Sequence, residues 1–180
     1  MVLGSKKLLK LVKEKNLIEN LSERELNNPE SCVFDIRIKE ISQLEGEGFL
    51  GIEDRQTPEH KMLASYDGRA GKIVTLEPGE YYMTESIEIF HMPENLFGIV
   101  KPRSTLFRSG LMLRAGVIDP GYNGPIHPGL FNASKLKFKL EMGARYIQVF
   151  FFEIDGGLVR AYEGQWQGGR KSASKREKQN

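Results

Sequence analysis

At 180 residues, with 39% hydrophobic and 28% charged side chains, the chain is long enough to bury one core and too short for two comfortable ones. A formal net charge of +2 gives no field that would argue for a nucleic-acid partner, and a single cysteine, Cys32, excludes an internal disulfide and every thiolate metal cage. No apolar run approaches the roughly 20 residues of a membrane span, so the expectation is a soluble, cytoplasmic protein with no membrane partner.

In chain order, Ser5 to Asn20 places Leu8, Leu9, Leu11, Val12 and Leu17 at helical spacing opposite lysines. This predicts a short amphipathic helix whose leucine stripe packs on the domain or on a neighbouring subunit. Ser22 followed three residues later by Glu25 is the pattern of a capping box, enough for one further turn. After Asn27-Asn28-Pro29 the pattern changes: Cys32 to Ile38 reads as a strand with Asp35 and Arg37 on one face, where a salt bridge between them is one reading and a functional role the other. Gly46 to Gly71 is rich in turn residues and predicts loops and short strands, with His60 at the surface.

From Ile73 onward, β-branched and aromatic stretches alternate with turns at Pro78-Gly79 and Pro93-Glu94-Asn95. Lys135 to Leu140 alternates strictly, as a strand with one wet face does, and Ala144 to Ile154 is nearly continuous in apolar residues, as a buried one is. Short strands at this spacing predict an all-β, closed or sandwiched antiparallel fold. Three segments follow: a helical start over 1–28, a β body over 29–157, and a flexible lid and basic tail over 158–180. Between Arg170 and Asn180 the tail carries five Lys or Arg against one Glu.

The densest stretch runs from Lys101 to Asn132. Arg103 and Ser104 offer donors to an anion, and Asp119 follows two β-branched residues that hold it on a rigid strand, a combination suited to phosphate-ester chemistry. Set in order, the chain from about Leu17 to Gln167 resembles the trimeric dUTPase and dCTP deaminase superfamily. Cys32–Arg37, built around Asp35, is similar to the first block of that family; Pro102-Arg103-Ser104-Thr105-Leu106 to the second; Gly116 to Gly124, with Ile118-Asp119 and Tyr122, to the third. Arg145-Tyr146-Ile147-Gln148 is similar to the fourth, and the Gly/Gln-rich tail holds the place of the fifth.

The resemblance implies a distorted jelly-roll (β-clip) homotrimer with active sites at subunit interfaces. It implies that Asp119 deprotonates a water that attacks the α-phosphorus of dUTP, with Mg²⁺ held mainly by phosphates and water. Arg103, Ser104, Thr105, Arg108, Gln148, Gln165 and Arg170 would bind the phosphates and nucleotide, and Tyr122 would stack under the deoxyribose. Backbone groups of Ala115, Gly116, Val117 and Ile118 would read the base, with Asp35 in support.

The deaminase branch of the same superfamily shares Arg103 through Arg108 and Ile118-Asp119-Pro120-Gly121-Tyr122. Its pattern then requires a Glu on the next strand, and Gly129 stands there. His127, two residues away beyond Pro128, is the one nearby substitute. Hydrolysis of dUTP to dUMP and pyrophosphate is therefore the expected activity. dCTP deamination, alone or joined to dUTP hydrolysis, and a non-catalytic nucleotide-binding or protein-interaction trimer are the alternatives.

Overall fold

The computed structural model describes residues 1–179; Asn180, the end of the basic tail, lies outside the described residues. Helix α1 (Ser5–Lys15) buries Leu8 completely and keeps its lysines outside, and Asn16 ends it in the left-handed conformation, its N–H donating to the Leu11 carbonyl. The leucine stripe packs on the domain itself. After β1 (Ile18–Glu19), Ser22 accepts the Glu25 N–H at 3.4 Å and caps α2 (Glu23–Asn27). Only half of the capping box forms, because the Glu25 side chain turns inward, fully buried, and accepts the Asp35 N–H at 3.2 Å.

Strand β2 (Val33–Glu45) is the longest element and changes partners along its length. It is followed by β3 (Phe49–Leu50), β4 (Asp54–Gln56), β5 (Glu59–Ser65), β6 (Ile73–Leu76), β7 (Tyr81–Ser86), β8 (Ile89–His91) and β9 (Leu96–Pro102). The single turn α3 (Ser104–Arg108) leads to β10 (Leu111–Arg114), β11 (Val117–Ile118), β12 (Asn123–Pro125) and β13 (Gly129–Asn132). Then come β14 (Phe138–Glu141), β15 (Arg145–Glu153) and, in the tail, β16 (Glu177–Lys178).

Eight strands share the main sheet, in the order β10-β13-β7-β2-β15-β9-β11, with β5 added on β2. Strands β10 and β11 stand at opposite ends of that order although only Ala115 and Gly116 separate them in the chain. The sheet therefore curls until its two ends meet, as a distorted jelly roll does, and the Ala115–Gly116 turn spans the seam. Inside the curl, Phe151 packs against Phe34 and Phe90 with ring centroids 6.5 and 6.4 Å apart. The apolar run of β15 is buried because the strand lies between β2 and β9, with Tyr146, Ile147, Val149 and Phe151 all closed to solvent.

Of the two readings of Asp35 and Arg37, the salt bridge between them does not form. The register of β2 shifts between Ile36 and Arg37 against β15 and between Ile38 and Glu40 against β7, and the two side chains turn to different partners. Arg37 binds the buried Glu88 through Nε at 2.7 Å and its backbone N–H at 2.8 Å, whereas Asp35 is met by Arg103, by Arg145 at 2.8 Å and by Gln148 at 3.0 Å. The basic tail lies along the body: β16 pairs with β4, Arg55 and Arg170 share Glu177, and Thr57 exchanges hydrogen bonds with the backbone of Ala173.

Candidate active site

A cavity of about 590 Å³ opens at the seam of the sheet. One wall is the turn from β10 into β11, from Ala115 to Asp119. The pairing of β10 with β13 stops at Arg114 and that of β11 with β9 begins at Val117, so the backbone groups of Ala115 and Gly116 have no strand partner. The other walls come from Tyr81 and Met83 of β7, Tyr122, Ile126 to Pro128, His60, and Tyr162, Trp166, Arg170 and Lys171 of the tail.

Asp119 is the only carboxylate among these lining residues. It ends the β11 run, and partial burial raises its pKa above the ordinary aspartate value. Tyr122 lies three residues on, its hydroxyl donating to the Pro125 carbonyl at 2.6 Å and its ring edge-on to Tyr162. Burial, with the nearby Tyr162, pushes its phenol up to about 12, so it remains an uncharged platform at physiological pH. Gly124 has φ +139, and a Cβ there would meet the Gly169 backbone at 2.7 Å, so only glycine lets the tail lie this close.

The tail closes the cavity from the side of Asp119. Tyr162 N–H donates to the Pro120 carbonyl at 2.8 Å, and the Gln167 side-chain amide bridges the Asn123 N–H at 2.7 Å and the Gly121 carbonyl at 2.8 Å. Lys171 then reaches inward to Glu40 at 2.6 Å and Glu85 at 2.7 Å. Burial raises the Glu85 pKa, but hydrogen bonds from His127, Lys171 and Lys39 outweigh it and hold the carboxyl well below the usual range. A lowered folded-state pKa contributes stability that is present above the unfolded-state value and is lost on acidification, so this anchor is complete at neutral pH.

The residues expected to form one site fall into two groups in a single chain. Asp119, Tyr122, Ala115, Gly116, Val117, Ile118 and Arg170 line the cavity. Arg103 and Gln148 instead gather around Asp35 with Arg145, and Arg24 stands 3.6 Å from the same carboxylate. Ser104, Thr105 and Arg108 lie exposed on α3, and Gln165 turns away to donate to the Lys178 carbonyl.

His60, expected at the surface, instead lines the cavity, because β5 pairs onto the far half of β2 and carries it inward. Burial, reinforced by His127 and Lys171, lowers its pKa. Sequence reasoning gave no site role to Tyr81, Glu85, Lys171 or Arg24, and placed Arg145 in the fourth block without a role. Tyr81 and Glu85 left a trace only as members of the strand-like run Tyr81 to Ser86.

A protein of Aeropyrum pernix named as a probable deoxyuridine 5'-triphosphate nucleotidohydrolase is 35% identical over 134 residues, 74% of this chain and 81% of that one. A dCTP deaminase of Thermococcus kodakarensis is 33% identical over 105 residues, 58% of this chain and 68% of its own length. The crystal structure of the 2'-deoxycytidine 5'-triphosphate deaminase of Agrobacterium tumefaciens superposes with a TM-score of 0.66 at 15% identity, a likeness of fold. That match covers 86% of this chain and 49% of the other, so the chain spans about half the length of that deaminase. With residues 2–154 matching the family description "dCTP deaminase-like", the chain belongs to the dCTP deaminase-like family.

Proposed function

We propose that the protein is a dUTP diphosphatase, hydrolysing dUTP to dUMP and pyrophosphate with Asp119 as the general base. The observation that carries this reading is the single carboxylate at the cavity wall: Asp119 lines it, while Gly129 offers no second acid. Hydrolysis needs one base, held on a rigid strand, to take a proton from the attacking water. Deamination needs a group that moves protons to and from the pyrimidine ring as well.

In this reading Tyr122 supports the deoxyribose and the free backbone groups of Ala115 and Gly116 meet the base. The phosphates are bound by Arg103, Ser104, Thr105, Arg108 and Gln148, which in one chain lie with Asp35 or on the exposed face of α3. Those residues reach the cavity of a neighbouring copy in a homotrimer, the assembly under which both groups serve one site. Among the described residues no cluster of three or more His, Cys, Asp or Glu side chains is arranged to hold a cation. An Mg²⁺ ion would be carried on the triphosphate by its phosphate oxygens and water, and would supply neutralisation of the charge on the departing pyrophosphate. The chain's own part is to place the water, the sugar and the phosphates.

A test is a panel of deoxynucleoside triphosphates with Mg²⁺, in which pyrophosphate release is expected from dUTP above all others. Activity should rise with pH through a limb above the ordinary aspartate value, since the base works only when ionised and burial holds its pKa up. A pH–rate profile that is flat there contradicts the assignment.

The tail supplies a second test. Tyr162, Trp166, Arg170 and Lys171 all line the cavity, so removal of everything after Asp155 is expected to abolish turnover while leaving the assembly intact by light scattering. Normal hydrolysis by the truncated protein would refute the lid.

dCTP deamination is the second reading, favoured by the family description and by the Thermococcus relative's name. Its proton carrier would be His127, whose Nε2 lies 3.3 Å from the buried Glu85 and whose ring faces the cavity. Ammonia released from dCTP is the readout that favours it.

A further inference from the structure

Gly129 is buried in β13 between two neighbours, opposite Arg114 of β10 and Met83 of β7. Its backbone is not in the left-handed region, so conformation does not demand glycine here. Volume does. A Cβ built at position 129 would stand 1.8 Å from the Tyr81 hydroxyl oxygen and 2.4 Å from the ring carbon that bears it. The phenol of Tyr81 thus occupies the space in which any side chain at 129 would begin, an aromatic ring laid across a strand glycine.

The same hydroxyl is at the cavity wall, and its surroundings give it a direction. Arg114, paired across from Gly129, bears on the phenol, and burial raises the phenol's pKa. The hydroxyl is therefore neutral at working pH. A guanidinium only donates, so its field favours the phenol oxygen turned toward Arg114 and the proton turned away from it. Immediately beyond Arg114 are Ala115 and Gly116, whose backbone groups lack strand partners. A planar ligand held by that backbone shares the cavity with the Tyr81 hydroxyl.

We propose that Tyr81 is a specificity-determining residue of this cavity: its hydroxyl, seated where a side chain at 129 would stand, donates to a ring carbonyl of the bound pyrimidine and so favours uracil over cytosine. This rests on the reading of the cavity as a pyrimidine nucleotide site. At the ring position where uracil carries a carbonyl acceptor, cytosine carries an amino donor. To accept from that amino group the hydroxyl must turn its proton back toward Arg114, against the guanidinium's field, a cost that uracil does not incur.

The test is calorimetric binding of dUDP and dCDP to the full-length wild type and to Tyr81→Phe, with melting temperature and pyrophosphate release from dUTP measured on both. The expected result is a ratio of dUDP to dCDP affinity that falls about tenfold or more in Tyr81→Phe, mostly through weaker dUDP binding, with the melting temperature unchanged. Gly129→Ala, which displaces the hydroxyl without deleting it, should lower the ratio likewise. The double variant should do no worse than either alone.

An unchanged ratio in Tyr81→Phe overturns the assignment, as does a wild type that binds both nucleotides equally. If wild type releases pyrophosphate from dUTP while the ratio stays put, the hydrolase reading stands and Tyr81 falls. If the ratio drops but no pyrophosphate appears, Tyr81 stands and the hydrolase reading falls.

Discussion

Asp119→Asn is expected to lower pyrophosphate release from dUTP by about a hundredfold to ten-thousandfold, the range that a positioned general base contributes. The amide keeps the shape of the carboxylate and loses its basicity, so nucleotide affinity should change far less than turnover. The variant should also fold at least as well as the parent. Burial raises the Asp119 pKa, and a raised folded-state pKa contributes stability that is present below the unfolded-state value and lost as pH rises through the folded one. At neutral pH the ionised group is therefore a local cost that the amide removes. Lost turnover with an equal or higher melting temperature is the signature of a residue held for chemistry. A variant that keeps its rate excludes Asp119 as the base.

Asp35→Ala is expected to destabilise the fold by about 3–5 kcal/mol, the usual consequence of removing one partner from a buried charge cluster. Asp35 is 2% exposed and is the meeting point of Arg103, Arg145 and Gln148, with Arg24 at 3.6 Å. Without it, Arg24 and Arg145 keep only Glu25 and the exposed Glu30, and Arg103 loses the one carboxylate it meets among the described residues. A denaturant titration reads the loss as a lower midpoint at unchanged slope. Since Arg103 and Gln148 are also the proposed phosphate ligands, the weakened variant should bind dUTP poorly even where it is folded. A midpoint within error of the parent would show that the cluster is solvated and carries little.

These two residues also show what could be read from the chain. Asp119 was legible because its immediate sequence marks it: two β-branched residues before it and a Gly-Tyr-Asn-Gly turn after it. The amphipathic start and the Ser22 cap were legible for the same reason, since helix faces and caps are set within a few residues. Asp35 was seen, but its partners were not. They lie 68, 110 and 113 positions away, and the nearest candidate, Arg37, was diverted to Glu88 by a register shift that no pattern announces.

The same limit explains His60 and Lys171. His60 reaches the cavity only because β5 adds to the far half of β2, and Lys171 only because the tail turns back to Glu40 and Glu85. A run of lysines and arginines after Gly169 carries no sign that one of them is drawn between two carboxylates. Gly129 was legible as a missing acid, yet what fills its place, the Tyr81 hydroxyl, became visible only when β7 and β13 were laid side by side.

The measurement that bears most directly on the assignment is parallel detection of pyrophosphate and ammonia from dUTP and from dCTP, with Mg²⁺, by the full-length protein. Pyrophosphate from dUTP with no ammonia from dCTP is the predicted result. Ammonia from dCTP would contradict it, and would mean that a cavity lined by Asp119 and His127 deaminates with glycine, not an acid, at position 129.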